Sequence, residues 1–135
     1  MTLSVTLQIL IADDHELIRQ GLRQILQDEF PQAAIEEAAD GDELLEKATG
    51  NNWDIVISDI AMPGMSGMQA LKRIVQDHPQ LPVLMISIHP EEQYAHSVLK
   101  AGASGYLSKD AAITELVIAV KQILRGEKYI APSVK

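Results

Sequence analysis

Ile55-Val56-Ile57-Ser58-Asp59-Ile60-Ala61-Met62-Pro63-Gly64 is the stretch from which the rest of the chain can be read. Consecutive β-branched aliphatics suit a strand buried on both faces, as a parallel sheet requires. The run stops at an acid. Pro63 cannot donate to a sheet ladder and Gly64 accepts turn dihedrals, so the chain turns there. Asp59 is thereby placed at the carboxyl end of a buried strand, facing a loop. That is the edge at which open α/β sheets bind ligands. A carboxylate with an apolar wall behind it and solvent in front suits a nucleophile or a metal ligand. The same residue would also serve as a plain turn cap.

Upstream, residues 7–12 form a mostly apolar strand, followed directly by Asp13-Asp14-His15-Glu16. Ile18, Leu22, Ile25 and Leu26 then recur at helical spacing, and Pro31 stops that helix near Phe30. Residues 34–38 read as a short edge strand. Asp40-Gly41-Asp42 opens a second helix through Leu44, Leu45 and Ala48, with Gly50 as its stop. Downstream, Ser66 caps a third helix with Met68, Leu71, Ile74 and Val75 on its apolar stripe. Residues 82–88 are another buried strand. Pro90-Glu91-Glu92 opens a fourth helix, with Tyr94, Val98 and Leu99, that ends at Ala101-Gly102. Residues 105–108 are a last strand ending at Lys109. Asp110 is placed to cap the final helix. Ile113, Leu116, Val117, Val120, Ile123 and Leu124 mark that helix's core face, and Gly126 ends it.

Five strands alternating with five helices imply an α/β fold with parallel strands, right-handed crossovers and helices on both faces. For this length the expected solution is a doubly wound five-stranded parallel sheet of order 2-1-3-4-5. Strands one and three are then neighbours, and Asp13, Asp14 and Asp59 converge on one crevice. Three acids at close range repel one another and call for a cation. Oxygen donors, with no Cys and no His pair, favour a hard ion, Mg²⁺. Ser87, near the end of strand four, offers a hydroxyl to an anion held at Asp59. Lys109 ends strand five, where its ammonium reaches across the sheet edge. Taken singly, the acid pair also suits a helix cap, Ser87 a small buried residue and Lys109 ordinary surface charge. His15 follows the acid pair and could approach the site, but its place in a loop favours an exposed residue.

The 135 residues suit one domain with one core, and 47% are hydrophobic. A formal charge of −8 argues against this piece binding nucleic acid by itself. With no cysteine there are no disulfides, no thiolate chemistry and no Cys-ligated zinc. No apolar run approaches the ~20 residues of a membrane span, and the start lacks a secretory signal. A cytoplasmic protein is expected.

Asp13-Asp14, Asp59 followed by Met62-Pro63-Gly64, Ser87, Tyr106 and Lys109 together closely resemble the receiver domain of two-component response regulators, over about residues 7–125. The stretch Ala101-Gly102-Ala103-Ser104-Gly105-Tyr106-Leu107-Ser108-Lys109-Asp110 looks most like the subclass with a LuxR-type helix-turn-helix output domain. The resemblance implies a flavodoxin-like, three-layer receiver sandwich. It implies a phosphoacceptor rather than an enzyme, at most self-phosphorylating from small donors and losing the group slowly. Asp59 would take a phosphoryl group from the phosphohistidine of a histidine kinase. Asp14, Asp59 and the Ala61 backbone carbonyl would hold Mg²⁺, with Asp13 acting mostly through water. Lys109 would pair with the phosphoryl group, Ser87 would be the switch hydroxyl, and Tyr106 the switch aromatic that turns inward. Residues 1–125 would be the receiver. Residues 126–135 would start a linker to a DNA-binding output domain outside this chain, which would regulate transcription.

Homodimerisation on phosphorylation is a further expectation, through the first and fifth helices or the face of helix four, strand five and helix five. Ile118 lies off the core stripe and is available to a partner. Two departures stand out. Asp110 occupies the place where the family often has Pro after a cis bond. Ala61 and His89 occupy variable positions that influence loss of the phosphoryl group. A phosphohydrolase of the haloacid dehalogenase kind would need an acid at Ala61. A flavin module would need a phosphate loop where Asp13-Asp14 repel one. The alternative is a receiver-like scaffold that is never phosphorylated and acts by protein–protein binding.

Overall fold

The computed structural model describes residues 6–87 and 92–130. Its elements follow in order as β1 Gln8–Ala12, α1 Glu16–Glu29, β2 Ala34–Ala38, α2 Gly41–Gly50, β3 Ile55–Asp59 and α3 Gly67–Asp77. Next come β4 Val83–Ser87, α4 Glu92–Lys100, β5 Gly105–Ser108, α5 Lys109–Leu124 and β6 Tyr129–Ile130. The sheet order is β2-β1-β3-β4-β5-β6, parallel at every pairing. The first five strands thus take the expected 2-1-3-4-5 order. Every residue of β3 and β4 is buried, which is why those strands are aliphatic without alternation. β2, at the edge, leaves Glu36 exposed.

Local chemistry sets the helix ends. Asp40 caps α2 by accepting from the Glu43 N–H at 2.8 Å. Ser66 and Gln69 form a reciprocal capping box at α3. α1 ends before Pro31, with Phe30 as its last half-helical residue. At α5 the cap is Ser108, whose hydroxyl accepts from the Ala111 N–H, and not Asp110. Asp110 lies in the first turn, where a carboxylate suits the positive end of the helix dipole. The Lys109–Asp110 bond is trans, as are all peptide bonds among the described residues.

The core face of α5 also differs from the expected one. Ala112, Leu116, Ala119, Val120 and Ile123 are buried, whereas Ile113 is 75% exposed and Leu124 is also exposed. Aliphatics lie on nearly every side of this helix, so their positions alone do not choose a face. Small Ala112 and Ala119 lie on the buried face, and Ile113 lies outside it. Ile118 is exposed, as expected. Ile88, His89, Pro90, Glu91 and the side chain of Tyr94 lie outside the described residues, as does 131–135.

β6 is the element that periodicity does not reveal, because two residues carry no period. It pairs with β5 through Gly105↔Tyr129 and Tyr106↔Ile130. Tyr129 is buried, and its phenol donates to Glu115 Oε1 at 2.5 Å. Gln122 Nε2 donates to the Lys128 carbonyl at 2.7 Å. The segment after α5 therefore begins as a strand of this sheet. Burial, then the Glu115 hydrogen bond and charge, push the Tyr129 phenol up to about 12. The folded state thus holds this proton more tightly than the unfolded chain. The stability it contributes is complete below the ordinary value of 10 and is lost as pH rises through about 12. Tyr129→Phe is expected to flatten this alkaline decline, read as the difference between the two proteins' unfolding free energies across that range.

Among the described residues, no helix is long and apolar enough to cross a membrane.

Candidate functional site

The register brings the polar strand ends together. Ala12 lies beside Ser58, Asp59 beside Ile86, and Ser87 beside Ser108. Asp13, Asp59, Ser87 and Lys109 therefore lie along one edge of the sheet. Asp13 is 1% exposed, Asp59 6% and Ser87 5%. Lys109 spans the crevice, with its Nζ 2.8 Å from Asp13 Oδ2 and 3.2 Å from Asp59 Oδ2. The Ala61 N–H donates to Asp59 Oδ1 at 3.3 Å. Arg19 Nη1 donates to the Asp13 backbone carbonyl at 2.6 Å, which ties α1 to the end of β1.

One ammonium is shared by two buried acids, and the consequences differ for the two sides. Burial raises the Asp59 carboxyl above its usual range, and the Asp13 charge raises it further. Lys109 and the Ala61 N–H oppose this without overcoming it. For Lys109, burial works against the charged form, but the Asp13 hydrogen bond and the fields of Asp59 and Asp13 raise it in net. The lysine gains from both acids; Asp59 receives only a share of the lysine.

Asp14 completes the cluster from the exposed side. One ligand atom each from Asp13, Asp14, His15 and Asp59 lies within 4.8 Å of the other three. Positions 14 and 59 thus share a space that one ion can occupy. Three carboxylates against one ammonium leave the crevice with excess negative charge, and this donor set fits a divalent cation. His15 was expected to be an exposed loop residue. Its ring is 61% exposed, yet Nδ1 lies 3.1 Å from Asp13 Oδ1 and 3.2 Å from Asp14 Oδ1. Tyr106 is fully buried in β5, beside Met85 of β4. The aromatic expected to turn inward lies inside in this structure.

Sequence reading missed two glycines that hold the acid loop. A Cβ on Gly67 would lie 1.8 Å from the Asp59 carbonyl oxygen, so α3 starts directly against the backbone of Asp59. The Gly67 N–H donates to the Ile60 carbonyl at 2.8 Å. A Cβ on Gly41 would lie 1.9 Å from the Met65 carbonyl oxygen, where α2 meets the same loop. The available signal was the glycine directly after the Ser66 cap, a position where helices do not otherwise need one.

The chain matches the family model of the response regulator receiver domain over residues 9–121. It is 36% identical over 128 residues to the response regulator UvrY of Escherichia coli strain K12, an alignment covering 95% of this chain and 59% of that protein. It is 40% identical over 128 residues to the transcriptional regulatory protein DegU of Brevibacillus brevis, covering 95% of this chain and 54% of that protein. A solved two-component response regulator of the LuxR family from Aurantimonas sp. SI85-9A1 superposes with a TM-score of 0.89. That pair is 33% identical, with 96% of this chain and 93% of that chain covered. The chain spans between a half and three fifths of the length of these curated relatives.

Proposed function

The chain belongs to the response regulator receiver domain family, with relatives of the LuxR-type subclass, and we propose that Asp59 is its phosphoacceptor. The observation that carries this reading is the crevice itself. Asp59 stands at the end of β3 with Lys109 bonded to its carboxylate and the donor atoms of Asp13 and Asp14 close by. The donor is the phosphohistidine of a partner histidine kinase. An Asp59 carboxylate oxygen attacks phosphorus, the P–N bond breaks, and the imidazole leaves with the electron pair. Asp14, Asp59 and the Ala61 carbonyl would hold Mg²⁺, with Asp13 acting mostly through water. When bound, the ion neutralises charge on the transferring phosphoryl oxygens. Lys109 is already positioned to pair with the arriving group. Ser87 donates its hydroxyl to it, and buried Tyr106 on the next strand responds to that movement. The protein is a phosphoacceptor and not a general hydrolase.

Residues 1–125 are the receiver, and residues 126–135 start a linker to a helix-turn-helix domain that binds DNA in the whole protein. Supporting this are the greater length of the relatives and the transcriptional role in DegU's name. We place the protein in the cytoplasm, where histidine kinases present their phosphohistidine.

Incubation with acetyl phosphate and Mg²⁺ is expected to add the mass of one phosphoryl group to the intact protein. No adduct in the native protein would leave only a binding scaffold. Mg²⁺ alone is expected to raise the melting temperature, because it binds the folded cluster and not the dispersed acids of the unfolded chain. At 100 times Kd the gain is about 2.7 kcal/mol. An unchanged melt across millimolar Mg²⁺ counts against the shared site.

A further inference from the structure

The oxygen donors of the crevice do not act alone. We propose that His15 is a nitrogen ligand in this site, so that it binds Mn²⁺ and later first-row divalent ions in preference to Mg²⁺. The inference rests on the cation site of the proposed function and goes beyond it in naming a ligand and a selectivity.

The geometry assigns the imidazole this place. One ring nitrogen lies within 4.8 Å of a ligand oxygen from each of Asp13, Asp14 and Asp59, and Nδ1 is 3.1 Å from Asp13 Oδ1 and 3.2 Å from Asp14 Oδ1. The backbone of His15 is pinned, because its N–H donates to Asp13 Oδ1 at 2.8 Å. Residue 15 also caps α1 in an extended conformation without using its side chain for the cap, and the ring is turned to the acids instead.

Asp13, by contrast, is engaged at both oxygens. Oδ1 accepts from the His15 N–H and Oδ2 pairs with Lys109 at 2.8 Å. Asp59 is also met at both oxygens, by the Ala61 N–H at 3.3 Å and by Lys109 at 3.2 Å, but its contacts are longer. Asp14, Asp59 and the His15 nitrogen are then the donors best placed to reach an ion. Mg²⁺ prefers oxygen in strict octahedral geometry and gives up water reluctantly. Imidazole suits the transition metals, whose affinity for a mixed N/O site rises from Mn²⁺ onward. A site with one imidazole among carboxylates therefore separates the two kinds of ion, where an all-oxygen site does so less.

The test uses the whole chain and its His15→Ala variant at one fixed pH above the ordinary imidazole pKa of about 6.5. Mn²⁺ is titrated by the free-ion electron paramagnetic resonance signal, and Mg²⁺ by competition against it. The native protein is expected to prefer Mn²⁺. In His15→Ala, Mn²⁺ affinity is expected to fall about tenfold while Mg²⁺ affinity changes little. Pulsed electron resonance of bound Mn²⁺ should show imidazole nitrogen coupling in the native protein and none in the variant. Mn²⁺ bound without that coupling, or an equal loss of both ions, overturns the ligand role of His15 while the acid site stands. Binding of neither ion to either protein overturns the cation site and this inference together.

Discussion

Asp59→Asn is expected to abolish the phosphoryl adduct while making the cation-free protein more stable. The first effect is all or none, because an amide has no nucleophilic oxygen to offer phosphorus. The second follows from the electrostatics of the crevice. Burial, then the Asp13 charge, raise the Asp59 carboxyl above its usual value. The folded state therefore binds this proton more tightly than the unfolded chain does. Stability therefore falls as pH rises from the ordinary carboxylate value through the higher folded one. Asn removes the charge yet keeps an oxygen that can accept from Lys109 and the Ala61 N–H. A higher urea midpoint at unchanged slope would show this gain as a change in stability alone. Mg²⁺ should narrow the gap, since it stabilises the native acid cluster more than one lacking a carboxylate. A variant that still takes up a phosphoryl group would move the acceptor elsewhere. A variant less stable than the native protein would show that the charge at 59 is not the strained element of the site.

The parts of this design that were legible in the sequence are those in which residue type and strand end coincide. Ile55 to Asp59 reads as a buried strand that ends in an acid because no exposed strand needs aliphatics on both faces. Asp13 and Asp59 become neighbours as soon as β1 and β3 do, and the strand alternation implies that. Other features depend on distances a one-dimensional pattern does not carry. The glycine at 67 is required by a backbone carbonyl it meets only after α3 folds back on β3. The exposure of Ile113 goes with a buried face that includes small Ala112 and Ala119, which aliphatic spacing does not single out. β6 exists because Gly105 leaves room at the sheet edge for a parallel neighbour, with Tyr129 anchored by Glu115. His15 is both exposed and in contact with the acids. Its place directly after the acid pair allows both, and only the folded backbone shows that they hold together.

Lys109→Met is expected to be the most destabilising substitution among the charged residues of the crevice. Met keeps much of the apolar stem of lysine and removes only the ammonium. Asp13 and Asp59 are then left side by side, buried, with no cation between them. Breaking a buried ion pair by removing one partner costs about 3–5 kcal/mol, because the other charge stays desolvated. The native Lys109 contribution is complete below the ordinary lysine value of 10.5 and is lost only as pH rises through the higher folded one. At neutral pH the variant therefore shows its full deficit.

Lys121 provides the contrast. It pairs with Glu29 at 2.7 Å, but both side chains are exposed, and such pairs contribute about 0–1 kcal/mol. Acid should restore part of the Lys109→Met loss, since one proton between the two carboxylates relieves their repulsion. Mg²⁺ should restore part of it by supplying the missing positive charge. Combining the variant with Asp59→Asn should cost less than the sum of the two changes, because each alters the same charge balance. If Lys109→Met costs no more than Lys121→Met, the short contacts to Asp13 and Asp59 carry little energy. The crevice would then owe its shape to the sheet alone, and the lysine would act only once a phosphoryl group arrives.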